Sequence, residues 1–398
     1  MAESIVSLKE IANILNGYAF KSSEYQNKGH RVIRITNVQK GFLIDDDPKF
    51  HNSSENLKKY ELKENDILIS LTGNVGRVGL VTKNILPAYL NQRVGCIRIK
   101  EDLVDNNFLF HFLNNDCFEN DCINNSKGIA QLNLSTEWLK NVEIKLPSLE
   151  DQKKIAKILD KADEIRTKKK QANEKLDEFL KSTFIDMFGN PRTNNKNWSK
   201  NTLEGIVAND KHSIKRGPFG GSLKKEIFKE SGYLVYEQTH AIHNDYNFAR
   251  YYIDERKYKE MEIFKVVPGD LIISCSGVTL GRISEIPQNA VPGIINQALL
   301  KISLNPEIVD NKYFIALFRN RYVQNKIFEL SRGSGIPNMP SISVLKQLQF
   351  MIPPIELQNN FAQIVEKGKS QKQKNEEVIK QMDNLFNSLS QKAFKGEL

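Results

Sequence analysis

The spacing of hydrophobic positions along the chain changes twice, in the same way each time. Residues 1–147 carry short runs rich in Ile, Val, Tyr and Phe, punctuated by glycines, which predict strands and turns. The clearest run is Asp66-Ile-Leu-Ile-Ser70, and Gly73-Asn-Val-Gly76 predicts a turn into a second strand, Val78-Gly-Leu-Val-Thr82. From residue 148 the period lengthens to that of a helix. Ile155, Ile158, Leu159, Ala162, Ile165, Leu176, Phe179, Leu180 and Phe184 form one apolar stripe, with Ser148 as N-cap, Glu150 and Asp151 in the first turn, and Gly189 with Pro191 as the stop. Residues 191–353 return to strands and turns. A second helical stripe follows over 354–398, opened by Pro353-Pro354 and carried by Phe361, Ile364, Val365, Val378, Met382, Leu385 and Phe386.

This alternation is an internal repeat. Asp66-Ile-Leu-Ile-Ser70 returns as Asp270-Leu-Ile-Ile-Ser274, a shift of 204; Gly76-Arg77 returns as Gly281-Arg282 and Asn91-Gln92 as Asn296-Gln297, a shift of 205. Ser126-Lys-Gly128 matches Ser331-Arg-Gly333, and Leu146-Pro147 with Gln152 matches Ile352-Pro353 with Gln358. The expected fold is therefore α+β: two mixed α/β modules (1–147 and 191–353), each followed by a long helix (148–190 and 354–398), related by a pseudo-two-fold. Each helix, at roughly 40 residues, spans about 60 Å. Neither stripe is buried by its own module, so the two helices are expected to pack antiparallel as a coiled coil. Their basic stretches, Arg166 to Lys170 and Lys369 to Lys374, read first as a solvated charged face and second as a contact to a polyanion.

Composition narrows the classes. With 40% hydrophobic residues over 398, the chain can bury two cores, and 57 Lys and Arg against 48 Asp and Glu leave a net charge of +9. That balance favours a polyanionic partner but equally fits an ordinary basic protein. Cys96, Cys117, Cys122 and Cys275 form neither a disulfide framework nor a zinc pattern, which points to a reducing, cytoplasmic setting. No leader and no membrane span is expected.

A search for chemistry finds none. Gly368-Lys369-Ser370 lacks the glycine a phosphate loop needs, since Gln363 stands there. Gly73, Gly76 and Gly79 are spaced for turns and lead into a strand. His240 and His243, the only closely spaced histidines, lack a carboxylate partner motif and read as surface polar residues of a loop. Asn190-Pro-Arg192 and Asn338-Met-Pro340 both fail the pattern of an adenine methyltransferase. The chain is expected to be no enzyme and to hold no metal.

A module, a Leu-Pro with Glu and Gln opening a helix, and then both again: this arrangement resembles the specificity (S) subunit of type I restriction-modification systems. The resemblance spans essentially the whole chain. It is carried by Leu146 to Gln152 with Ile155 to Leu159, Ile352 to Gln358, Asp66 to Gly79, Asp270 to Gly281, Asn16 to Lys21, and Arg216 to Gly220 with Ser222. The first helix departs from the pattern at Asp151. The resemblance implies two target-recognition domains, each reading one half of an asymmetric bipartite DNA target, and two antiparallel helices that set their spacing. It also implies partners: two methyltransferase (modification) subunits using S-adenosylmethionine, and nuclease-translocase (restriction) subunits using ATP and magnesium. This chain would hold no cofactor. The alternative is a structural coiled-coil spacer presenting two protein-binding domains.

Groove chemistry asks for Arg and Lys at phosphates and guanine edges and for Asn and Gln at adenine edges. In the first module this selects Lys21, Ser22, Arg34, Asn37, Arg77, Gln92, Arg93, Lys127 and Gln131 as candidate DNA contacts. In the second it selects Lys215, Arg216, Lys224, Gln238, Arg282, Gln297, Arg332 and Asn338. Arg77 and Arg282 occupy one repeat position and are expected to meet backbone or support a turn. Ile155, Ile158, Ile165, Leu176, Phe179, Phe361, Ile364, Val378, Met382 and Leu385 are expected to pack the helices or receive a partner.

Overall fold

The computed structural model describes residues 4–100, 103–128, 131–331 and 337–395. It divides into two compact units, Met1–Gln171 with Asn375–Leu398, and Ala172–Lys374. The division falls inside both long helices, Leu149–Phe188 and Ile355–Lys395, so each unit owns one module and a portion of each helix.

In the first unit, strand Ser4–Ser7 pairs antiparallel with Glu143–Leu146, in the register Ser4 to Leu146, and so closes the module's two ends on each other. The main sheet has four antiparallel strands in the order Ala12–Asn16, Val94–Ile99, Ile67–Ser70 and Val78–Leu80. Ile67, Leu68 and Ile69 are fully buried, because both faces of this strand are covered. One face meets Leu8, Phe108, Leu109 and Leu139; the other meets Ile33, Val81 and Leu90, beside a small sheet of Phe50–His51, His30–Ile33 and Ala88–Leu90. Helices Asn106–Leu113 and Asp116–Asn124 are capped by the side chains of Asp105 and Asn115.

The second unit repeats this plan. Lys200–Thr202 pairs with Gln349–Met351, and the main sheet runs Ile214–Arg216, Leu299–Ile302, Leu271–Ser274, Ile283–Glu285. A second sheet is built from Tyr252–Ile253, Tyr233–Tyr236, Gly293–Ile295 and Lys265–Val266. Helices Asn311–Phe318 and Arg321–Leu330 follow, capped by Asp310 and Asn320. The repeated glycines have a steric cause. A Cβ on Gly17 would lie 2.2 Å from the Asn91 carbonyl carbon, and one on Gly217 would lie 1.8 Å from the Asn296 carbonyl oxygen. Gly76 and Gly281 adopt φ values of +83° and +79°, which side-chain-bearing residues avoid.

Each unit pairs its helix segments antiparallel. In the first, Arg166 donates to Asp383 at 3.0 Å and Lys169 to Asn375 at 3.3 Å, while Ile155, Leu159 and Ala162 pack with Phe386 into the module's core. In the second, Lys372 donates to both carboxylate oxygens of Asp177 at 2.8 Å, and Phe184, Phe188 and Phe361 stack around Tyr313. The packing set read from the sequence divides: Ile155 and Phe361 are buried, and Ile165, Leu176, Ile364, Val378 and Met382 are half-buried. Ile158, Phe179 and Leu385 stand exposed, because a stripe at 3.6-residue period is wider than one helix–helix seam. Ser148 caps the first helix by accepting from the Asp151 amide at 3.2 Å while donating to the Asp151 carboxylate, so the departure at Asp151 still builds a cap.

Gln152 and Gln358 tie helix to module. Both are buried. Gln152 accepts from the Asp105 amide at 2.8 Å and donates to the Pro147 carbonyl at 3.0 Å. Gln358 accepts from the Asp310 amide at 3.0 Å and donates to the carbonyls of Ile308 and Pro353. The glutamine of the repeated motif thus satisfies backbone groups where the long helix meets the N-terminus of the module's first capped helix.

Candidate nucleic-acid interface

Five loop segments of the first module converge on one edge, and backbone hydrogen bonds hold them there. Gln92 donates from its amide to the Tyr18 carbonyl at 2.9 Å, laying residues 17–22 against 91–93. The Leu71 amide reaches the Arg93 carbonyl at 3.1 Å and the Asn91 amide reaches Ile33 at 3.2 Å, adding segments 71–77 and 34–39. The Gly73 amide donates to Leu132 at 3.0 Å, adding 127–134. The second module does the same: Gly217 to Leu299 at 2.9 Å, Asn296 to Tyr236 at 3.0 Å, Cys275 to Ala298 at 2.8 Å and Gly277 to Pro337 at 3.0 Å.

All nine candidates of the first module lie on or beside these segments, in different states. Lys21, Ser22, Gln92, Arg93, Lys127 and Gln131 are exposed, with Lys21 3.6 Å from Glu24. Arg77 donates to the Gln39 side chain at 3.1 Å and lies 4.0 Å from Glu119. Arg34 is folded back: it donates to the Asp47 carbonyl at 2.7 Å and its carboxylate at 3.4 Å. The Lys49 ammonium first, and Arg34 second, hold the Asp47 carboxyl below its ordinary value. Asn37 is buried, accepting from the Arg34 amide and donating to the Ile44 carbonyl, each at 2.9 Å, so it shapes its loop and presents no edge to a groove.

In the second module Lys224, Arg282, Gln297 and Asn338 are exposed, while Gln238 donates to the Ser276 carbonyl and hydroxyl. Arg216 donates to the Asn338 side chain at 2.6 Å and lies over the Phe219 ring at 5.1 Å. The Lys215 ammonium stands over Phe264. Arg332 lies outside the described residues. Arg77 meets a side chain, and the Arg282 backbone amide donates to the Thr279 carbonyl of its turn at 3.2 Å.

His240 corrects a sequence expectation. It is fully buried in a short helix, Gln238–His243, where Nδ1 faces the Glu237 amide at 3.0 Å and Nε2 the Phe248 carbonyl at 3.0 Å. A surface loop was expected because the segment is short and polar; the buried ring fastens it to the sheet. Among the described residues no cluster of His, Cys, Asp and Glu could hold a metal ion. Burial pushes the thiols of Cys122 and Cys275 up to about 12, so both stay protonated and unreactive. Gln39, Asn74, Phe219 and Val278 also stand at these edges and were missed; the one sequence signal for two of them is that Asn74 and Val278 occupy the same repeat position between glycines.

The arrangement is two copies of a rigid frame, each collecting basic and amide side chains on loops at one edge. Residues 3–178 match the family model of the type I restriction modification DNA specificity domain. In sequence the chain is similar to specificity subunits of type I restriction-modification systems. It is 34% identical over 181 residues to the MjaVIII specificity subunit of Methanocaldococcus jannaschii, a match covering 43% of this chain and 42% of that one. It is 24% identical to the EcoBI specificity subunit of Escherichia coli, over 99% of this chain and 85% of that one. In fold it is similar to the S subunit from M. genitalium, with a TM-score of 0.59 at 16% identity, covering 99% of this chain and 96% of the other. No described helix is long and apolar enough to cross a membrane.

Proposed function

We propose that this chain is the non-catalytic DNA-reading subunit of a type I restriction-modification complex. Each module reads one half of an asymmetric bipartite target through its loop-bearing edge. The observation that carries the reading is the convergence of five loop segments at one edge of both modules, with basic and amide side chains on them. Sequence reading needs a frame that fixes where side chains stand and loops that vary freely. The repeat supplies the first, and the differences between the modules supply the second.

The long helices set the half-site separation and receive two methyltransferase subunits, for which exposed Ile158, Phe179 and Leu385 offer apolar contacts. S-adenosylmethionine, ATP and magnesium belong to the methyltransferase and nuclease-translocase subunits, and the complex works in the cytoplasm. The test is co-expression with the methyltransferase encoded beside it, followed by mapping of methylated adenines and a salt titration of duplex binding. A single bipartite motif, with affinity falling steeply as salt rises, supports the reading. Salt-insensitive binding with no motif would leave the structural-spacer alternative.

A further inference from the structure

The two edges share a frame but not a tip. Strand register equates Asn16, opposite Gly95, with Arg216, opposite Leu300, and the tight glycines Gly17 and Gly217 follow them. Two positions beyond those glycines the first module has Ala19 and the second Phe219; between the turn glycines the first has Asn74 and the second Val278. Phe219 is 67% exposed and Val278 95% exposed, while most large apolar residues of the chain are covered. They belong to one network: Phe219 stacks on Arg216, Arg216 is held by Asn338, Asn338 bridges to Ser276, and Gly277 donates to Pro337. Nothing lies within 4 Å of where a Gly277 Cβ would stand, so the Val278 tip projects clear of the module.

We propose that Phe219 and Val278, seated on the Arg216–Asn338 bridge, are specificity determinants of the second module and read the C5-methyl edge of thymine in the major groove. This rests on the DNA-reading function proposed above and adds the chemistry of one half-site. An apolar tip gains nothing from phosphates or hydrogen-bonding base edges; in the major groove the thymine methyl is the apolar feature that distinguishes base pairs. A tightly tied arginine beneath it fixes the height of the tip. In the first module the same two tips are the small Ala19 and the polar Asn74, so neither tip position carries a large apolar side chain.

The experiment uses the full chain in complex with its methyltransferase. The motif of the wild-type complex is mapped first. Synthetic duplexes are then made with uracil, which lacks the methyl group, in place of thymine at each position of the second half-site. For the wild type, binding weakens about fourfold at one or more of these positions, the equivalent of one lost buried carbon, and more than for uracil in the first half-site. Val278→Asn and Phe219→Ala, which install the first module's residues at exposed positions, abolish that sensitivity and relax the motif only in the second half. A second half-site without thymine, a wild-type complex indifferent to uracil, or variants that keep the wild-type motif and uracil sensitivity would each overturn this inference while leaving the DNA-reading function intact. Absence of any bipartite motif would overturn both.

Discussion

The two modules solve one problem at the sheet centre differently. In the first, buried Asp66 receives Arg98 in a paired grip, Nε at 2.7 Å and Nη2 at 2.6 Å, and also the Lys63 amide. In the second, Asp270 at the same repeat position receives the Ser303 hydroxyl at 2.5 Å and the Val267 amide at 2.8 Å, while the nearest cation, Lys301, stands 3.9 Å away and donates instead to the Lys265 carbonyl. Burial raises the Asp270 carboxyl above its ordinary value of 3.8 and lowers Lys301 below 10.5. What the repeat preserves is a carboxylate accepting the amide of a tight turn; the counter-charge is free to change. The same rule governs the edges, where the strand register is kept and the tips differ.

Several substitutions would sharpen that comparison. The largest effect falls on the shared clamp. Gln358→Ala leaves one amide and two carbonyls without their partner and is expected to cost about 3 kcal/mol, against about 2 kcal/mol for Gln152→Ala, which frees one amide and one carbonyl. Denaturant unfolding of the full chain measures both; negligible losses for both would show that the clamp does not hold helix to module.

Next comes the buried carboxylate. Asp66→Asn sets a neutral amide against the Arg98 fork and should cost about 2 kcal/mol, whereas Asp270→Asn keeps the Val267 amide on its oxygen and donates its NH2 to a reversed Ser303 hydroxyl, and should cost under about 1 kcal/mol. The pH dependence separates them further. A carboxyl raised by burial contributes its stability below the ordinary 3.8, where it is protonated in folded and unfolded chains alike, and loses it as pH rises through the folded value. Asp270→Asn therefore gains on the wild type as pH rises through that window; a constant difference in stability would contradict the assignment.

The smallest effects lie along the helices. Arg166→Ala removes a partly exposed guanidinium from Asp163 and Asp383, and Lys372→Ala an ammonium from Asp177. Each is expected to change stability by about 0.5 kcal/mol, and less in high salt. Calorimetry at two ionic strengths checks this.

How far the sequence spoke depended on the period of the signal. The DILIS and DLIIS strands, the turn glycines and both long helices follow from local pattern, and the repeat offset supplied the domain plan. Gln152 and Gln358 were visible as a motif, but their role was not, because the backbone amides they accept from lie 47 and 48 residues away. Arg34 and Asn37 had the right residue types for a groove, yet Asp47 and Ile44 claim them at home, a pairing that no spacing announces. Phe219 and Val278 carry no hydrogen-bonding group, and only their exposure in the fold sets them apart from core residues of the same type.

The central claim is that one edge reads one half-site. Methylated adenines should be mapped with the wild-type complex and with a chimera whose residues 1–147 come from another specificity subunit, a segment whose end strands pair with each other. The account predicts that one half of the bipartite motif changes and the other is retained. A motif altered in both halves, or in neither, would contradict it.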